Sequence, residues 1–267
     1  MTKKISNYEE RIVLFLDILG FKELIKKSVE DSEKFQKIQT CIKVIRNVFN
    51  ITQRTKERTI TQFSDSLVVS FKITEKGEVA LLLNKTKELI RKLILKEIVC
   101  SGGIAKGKLI HNNIFLFGPS FNEAYKLESK LAIFPRVIIA DKSIIDIGVE
   151  NYGYHPSNDP EYEESEINSL IKLDFDGFHY VDYFVVESFF DLSTKDRIYI
   201  NMLRKLIVIQ LDKFKYDDYN RKKYEWMKDK FNIRIKEIKT DKRIVIACFK
   251  IGSDKSSKFY KKLNPIE

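Results

Sequence analysis

The stretch RIVLFLDILGFKEL, residues 11–24, sets one carboxylate, Asp17, inside an apolar run. Ile12 to Leu16 precede it, and Ile18 and Leu19 follow. A short apolar run with β-branched residues, closed by Gly20, reads as a buried strand. A charge in that setting is costly to bury unless it is paired or holds a metal. The fold and the chemistry of the chain both turn on why Asp17 is there.

Residues 22–50 then read as helix in two pieces, with Ile38, Ile42, Ile45 and Phe49 at helical spacing. Residues 58–72 read as a strand pair folded about Ser64-Asp65-Ser66. Residues 77–97 carry a long apolar stripe, from Val79 through Leu83 and Leu89 to Ile94, and form an amphipathic helix. IVCSGGIAKGKLI (98–110), IFLFG (114–118) and RVIIA (136–140) read as strands. Residues 119–132 form a helix, with Ser120 and Glu123 spaced as a capping box. The acidic, proline-bearing stretch 150–168 reads as a loop or excursion, followed by a strand or hairpin from 171. From about 194 the pattern is mainly helical, and RIVIACFKI (243–251) reads as a late strand or buried segment. This order gives an α+β sandwich with helices over one mostly antiparallel sheet.

Composition narrows the function. The 267 residues are 43% hydrophobic and 32% charged, enough for one large domain or one domain with an extension. No run approaches a membrane span, and the first residues carry no apolar core of a secretory signal. Three scattered cysteines, Cys41, Cys100 and Cys248, form no CxxC pair and read as reduced thiols of a cytoplasmic protein. The three histidines are equally scattered. A net charge of +10 suits nucleic acid, a small polyanion such as a nucleoside triphosphate, or plain solubility. No helix-turn-helix, zinc-finger or RNA-binding motif accompanies it. Trp226 and its tyrosine neighbours fit a core better than a base-stacking platform.

Asp65 answers Asp17. If the two strands are neighbours, the carboxylates converge as hard oxygen ligands for Mg²⁺ or Mn²⁺, which also binds phosphates. Gly20 permits close approach of a ligand to the backbone, and the next helix offers its N-terminal N–H groups. An aspartate at a strand end equally serves as a helix cap or turn residue. Asn122 and Lys126 share one helical face, where an amide and a cation could stabilise developing negative charge or simply face solvent.

FLDILGFKEL (15–24), FSDSLVVSF (63–71) and FGPSFNEAYKLES (117–129) resemble, in order and spacing, the two metal motifs and the Gly-x-x-x-Asn-x-Ala-x-Arg-x-Glu segment of class III nucleotidyl cyclases. SDS, FGP and the later DG…DY hairpin resemble the Pycsar-type pyrimidine cyclases of bacterial antiphage defence. The resemblance implies a ferredoxin- or palm-like catalytic domain over residues 1–184 and a mainly helical extension over 185–267. It implies a phosphorus–oxygen lyase, a homodimer with two composite sites, and two Mg²⁺ or Mn²⁺ ions in each. Asp17, the Ile18 carbonyl and Asp65 would hold the metals. The backbone at Leu19, Gly20 and Phe21 would cradle the triphosphate, and Asn122 and Lys126 would come from the other subunit as catalytic residues. Lys126 stands where the family has arginine, which keeps the charge and loses the bidentate fork. Thr61 and Phe115 stand in the base pocket where purine cyclases carry the Lys and Asp that read adenine. Neither can read adenine that way, and UTP is the favoured substrate, with cUMP acting on a separate effector. No direct nucleic-acid or membrane binding is expected. cCMP or a purine cyclic nucleotide, a palm-type synthase of cyclic oligonucleotides, and a non-catalytic nucleotide-binding domain remain the alternatives.

Overall fold

The computed structural model describes residues 8–49, 58–154, 159–184, 194–240 and 254–267. The chain divides into two units, Met1–Asp182 and Tyr183–Glu267. In the first, the elements run β1 (Glu9–Ile18), α1 (Phe21–Ser28), α2 (Ser32–Val48), β2 (Arg58–Phe63), β3 (Ser66–Lys72), α3 (Glu78–Ile94), β4 (Cys100–His111), β5 (Leu116–Phe117) and α4 (Pro119–Lys126). A π-helical turn, Leu127–Leu131, continues α4. Then come β6 (Val137–Ile139), α5 (Ser143–Glu150), α6 (Pro160–Leu170), β7 (Ile171–Leu173) and β8 (His179–Val181).

The strands form one sheet in the order β2-β3-β1-β4-β6-β8-β7, with β5 paired to β4 outside that path. Only β4 and β6 run parallel; the other pairs are antiparallel. The architecture is therefore the mostly antiparallel α+β sheet with helices that the element order predicts. β1 lies between β3 and β4, so its side chains alternate between two covered faces. Ile12, Leu14, Leu16 and Ile18 are buried on one face, as are Ile45 of α2 and Leu83, Leu89 and Leu93 of α3. Arg11, Val13, Phe15 and Asp17 point to the other face. There Phe15 meets Phe121 and Tyr125 of α4 edge-on, at ring separations of 6.0 and 5.4 Å. Burying β1 on both faces is why it reads as a continuous apolar run rather than an alternating one.

Close packing fixes α4 on this face. A Cβ on Gly103 of β4 would lie 2.5 Å from Leu127 Cβ and 2.6 Å from the Ala124 carbonyl oxygen. Gly118, at φ 153°, opens α4, and Pro119 follows at the first turn, where its missing N–H costs nothing. The expected capping box is absent. Gly118 is the N-cap, and the Ser120 hydroxyl donates instead to the Lys108 carbonyl. The acidic loop expected over 150–168 is also corrected. Residues 160–170 form α6, because Asp159 accepts from the Tyr162 N–H and Pro160 starts the helix.

Just before β6, Arg136 is fully buried and bonds both Asp174 and Asp176 of the β7–β8 connection. Its guanidinium also lies 5.1 Å from the Phe134 ring. This cluster ties the start of β6 to the last hairpin.

The second unit contains α7 (Thr194–Lys213), α8 (Asp218–Thr240) and α9 (Asp254–Lys262). Its core includes Tyr199, Leu203, Ile207, Met227 and Phe231. Trp226 belongs to that core, edge-on to Phe184. Asn232 bonds the Ile266 backbone in both directions and so fastens the C-terminal residues to α8. The apolar run 243–251, Cys248 included, lies outside the described residues. No helix among the described residues is long and apolar enough to cross a membrane.

Candidate active site

Asp17 stands one residue from the end of β1, opposite Ser101 of β4. The β2–β3 hairpin turns at Ser64-Asp65, with Phe63 paired to Ser66 and Ser64 at φ 54°. Because β3 is a neighbour of β1, the turn comes alongside Asp17. The Ser66 hydroxyl donates to Asp17 Oδ1 across 2.8 Å. Burial raises the Asp17 pKa, and the Asp65 charge raises it further. The Ser66 hydrogen bond and the Ile18 N–H pull in the opposite direction. Two carboxylates therefore converge at a half-buried strand end, and the Asp65 charge adds to the cost of ionising Asp17.

Such a pair is a fitting donor set for a hard divalent cation, which would relieve both the desolvation and the repulsion. Among the described residues, no group of three or more His, Cys, Asp or Glu side chains gathers around a common point. A metal held here would complete its shell from the backbone, solvent or a phosphate ligand. Both nearby thiols are kept neutral. Burial and the Asp65 charge push Cys41 up to about 12, and burial also raises Cys100.

The segment after Asp17 is shaped by one turn. Gly20 is the N-cap of α1 at φ 76°, a left-handed conformation that glycine adopts without strain, and a Cβ there would meet nothing within 4 Å. Phe21 begins α1 with its side chain buried. The Leu19 N–H is already committed to the Val99 carbonyl at 3.0 Å. The backbone of Gly20 and Phe21 thus lies at an open helix start, whereas Leu19 is part of the β4 junction.

Asn122 and Lys126 lie on the exposed side of α4. Lys126 pairs with Glu123 at 3.4 Å. Among the described residues, neither forms a hydrogen bond or ion pair with Asp17 or Asp65. The opposite side of the α4 segment is tied to the site: Ser101, across from Asp17, donates to Glu128 Oε1 at 2.7 Å.

Thr61 lies on β2, and Phe115 just precedes β5, which pairs with the His111 end of β4. Phe115 is exposed and edge-on to Phe117. Thr61 bonds Nε2 of His111, the last residue of β4, at 2.9 Å. His111 Nδ1 meets the Ser70 hydroxyl at 2.8 Å, and Arg11 Nε donates to the same hydroxyl at 3.0 Å. The sequence assigned a role at the site to none of Ser66, Ser70, Arg11, Ser101 or His111. Only Ser66 carried a signal, as the residue following Asp65 in the turn; the others come together through strand register.

No protein-family model and no curated protein matches the chain. Solved structures resemble it at low identity. The guanylyl cyclase Cya2 is 15% identical over 53% of this chain and 79% of its own, with a TM-score of 0.42. The adenylyl cyclase CyaB from P. aeruginosa is 14% identical over 66% of this chain and 95% of its own, with a TM-score of 0.42. The monomeric guanylyl cyclase domain of the RhoGC fusion protein from the aquatic fungus Blastocladiella emersonii is 16% identical over 65% of this chain and 95% of its own, with a TM-score of 0.42.

Proposed function

We propose that the protein is a metal-dependent nucleotidyl cyclase that converts a nucleoside triphosphate, UTP in the first instance, to its 3′,5′-cyclic nucleotide and pyrophosphate. The observation that carries this reading is the pairing of Asp17 with the Asp65 turn through Ser66, at a strand end followed by an open helix start. A buried carboxylate made costly to ionise by its surroundings and by a second carboxylate is what a cation site needs, and an open helix N-terminus beside it suits phosphate.

In this reading Asp17, Asp65 and the Ile18 carbonyl would hold Mg²⁺ or Mn²⁺, two ions per site. The bound ions would lower the cost of deprotonating the ribose 3′-hydroxyl and neutralise phosphate charge. Gly20 and Phe21 offer backbone N–H groups to the triphosphate. The 3′-oxygen forms a bond to the α-phosphorus, the bond to the bridging oxygen breaks, pyrophosphate leaves, and the hydroxyl proton passes to water. Positioning and charge stabilisation supply the rest of the acceleration.

Asn122 and Lys126 act on this site from a second copy of the chain. Their exposure on α4, without a partner at the aspartate pair, supports that role. So do the exposed apolar side chains nearby, Phe63 at 48%, Phe115 at 54% and Tyr125 at 53% exposure, which suit an interface between copies. None of the residues assigned to the site lies in the extension expected over 185–267. The cyclic product would act on a separate effector in antiphage defence, inside the cytoplasm.

The test is incubation of the full chain with each of the four ribonucleoside triphosphates and Mn²⁺, with products identified by mass. A cyclic mononucleotide that disappears with Asp17→Asn and Asp65→Asn supports the reading. A dinucleotide product points to intermolecular joining, and no conversion of any nucleotide removes the cyclase assignment.

A further inference from the structure

A buried polar chain crosses the sheet on the Asp17 face: Arg11 of β1, Ser70 of β3, His111 of β4 and Thr61 of β2. Arg11 is 4% exposed, and every contact it makes is a donation. Nη1 goes to Glu9, Nη2 to Thr59 Oγ1 and the Ser70 carbonyl, and Nε to the Ser70 hydroxyl. Glu9 is held in turn by Lys72 at 2.8 Å. An arginine cannot accept a hydrogen bond, so it fixes the sense of everything beyond it.

Ser70 is fully buried. Its oxygen accepts from Arg11, and its hydrogen has one place to go, the Nδ1 of His111 at 2.8 Å. Leaving a buried hydroxyl hydrogen unbonded would cost about 1–3 kcal/mol. His111 is neutral at pH 7, because burial and the Arg11 charge push its pKa down to about 4. A neutral imidazole that accepts at Nδ1 carries its one proton on Nε2. Nε2 therefore donates to Thr61 Oγ1 at 2.9 Å. With its oxygen already accepting, Thr61 has its own hydroxyl hydrogen left to give outward. Were the chain reversed, Thr61 would spend that hydrogen on Nε2 and offer only lone pairs.

Thr61 faces the same side of the sheet as Asp17. Thr61 pairs with Val68, and Val68 with Phe15, two residues before Asp17. Two strand spacings and two residue rises separate Thr61 from Asp17, about 12 Å between Cα atoms, which is the scale of a nucleotide from phosphate to base. We propose that Arg11, Ser70 and His111 are positioning residues that lock the Thr61 hydroxyl as a hydrogen-bond donor toward the base. The site then selects bases presenting a keto oxygen there, uracil or guanine, over the amino bases cytosine and adenine. This inference rests on the cyclase reading above.

Two measurements on the full chain test it. Nitrogen NMR of His111, assigned with a His111→Gln control, should show a proton on Nε2 and none on Nδ1; a proton on Nδ1 overturns the proposal whether or not the protein turns over. Relative kcat/KM for the four triphosphates with Mn²⁺ should favour UTP or GTP over CTP and ATP by about tenfold or more. Thr61→Val and Ser70→Ala should each lower that keto-to-amino ratio about tenfold, and Thr61→Ser should restore it. A structural role alone would depress all four substrates together and leave the ratio fixed, which overturns the proposal. Turnover without base preference removes only this inference. Failure of every triphosphate to bind or react removes the cyclase reading and this inference with it.

Discussion

The Ser66 hydroxyl donates to Asp17 Oδ1 at 2.8 Å and so joins the end of β1 to the turn that carries Asp65. That bond keeps Asp17 oriented while burial and the neighbouring carboxylate work against its charge. Ser66→Ala should raise the Asp17 pKa further and cost about 1 kcal/mol of stability. Mn²⁺ titration calorimetry checks it: affinity should fall more as the pH is lowered, and Ser66→Thr should recover much of it.

Asp17 should make the metal-free protein less stable as the pH rises. A carboxyl whose folded pKa is raised holds its proton more tightly than the unfolded chain does. Stability is therefore lost between the ordinary carboxylate range and the raised value, and the penalty stays above it. Asp17→Asn removes that penalty and should raise the metal-free Tm. Mn²⁺ should raise the Tm of the wild-type protein and not of the variant, as thermal unfolding with and without metal will show.

His111 gives the opposite pH signature. Its folded pKa is lowered to about 4 from 6.5, so the unfolded chain takes up a proton that the folded one refuses. Stability is complete above pH 6.5 and falls as the pH drops toward 4, by about 3 kcal/mol from this residue. Denaturant unfolding between pH 7 and 4 should show a smaller decline in His111→Gln than in wild type.

Arg136 and Asp174 are both fully buried in their side chains. Arg136→Met leaves the buried Asp174 carboxylate without the arginine's charge, at a cost of about 3–5 kcal/mol, and Asp174→Asn, which keeps the Arg136–Asp176 pair, should cost less. Paired replacement of Arg136, Asp174 and Asp176 by apolar residues should recover part of that loss in urea unfolding.

Gly103→Ala places a methyl group against Leu127 and the Ala124 carbonyl. Relief requires α4 to lift, so a loss of about 1–3 kcal/mol is expected. Because α4 carries Asn122 and Lys126, turnover should fall more than stability alone explains, and a crystal structure of the variant should show the helix displaced.

Much of the first unit was written locally. The apolar run 11–19, the stripe from Val79 to Ile94 and the Ser64-Asp65 turn each announce an element through spacing or turn chemistry. Residues 160–170 escaped because their acidic, proline-bearing composition resembles a loop, whereas Asp159 and Pro160 in fact cap and start a helix. Ser120 and Glu123 had capping-box spacing, yet Gly118 takes the cap and Ser120 turns to β4. Spacing reports which faces a helix has; it does not report what the neighbouring strand offers.

By itself the sequence determined that Asp17 ends a buried strand, that Asp65 lies in a hairpin turn, and that helices and antiparallel strands alternate around them. Those features follow from an unbroken apolar run, from turn chemistry and from a helical period of about 3.6 residues, which short windows display. Only the tertiary structure decided that β1 lies between β3 and β4. That order brings Ser66 to Asp17, Ser101 to Glu128, and His111 between Ser70 and Thr61. Cross-sheet register joins residues far apart in the chain, and a polar residue gives no local sign of the partner it will meet there.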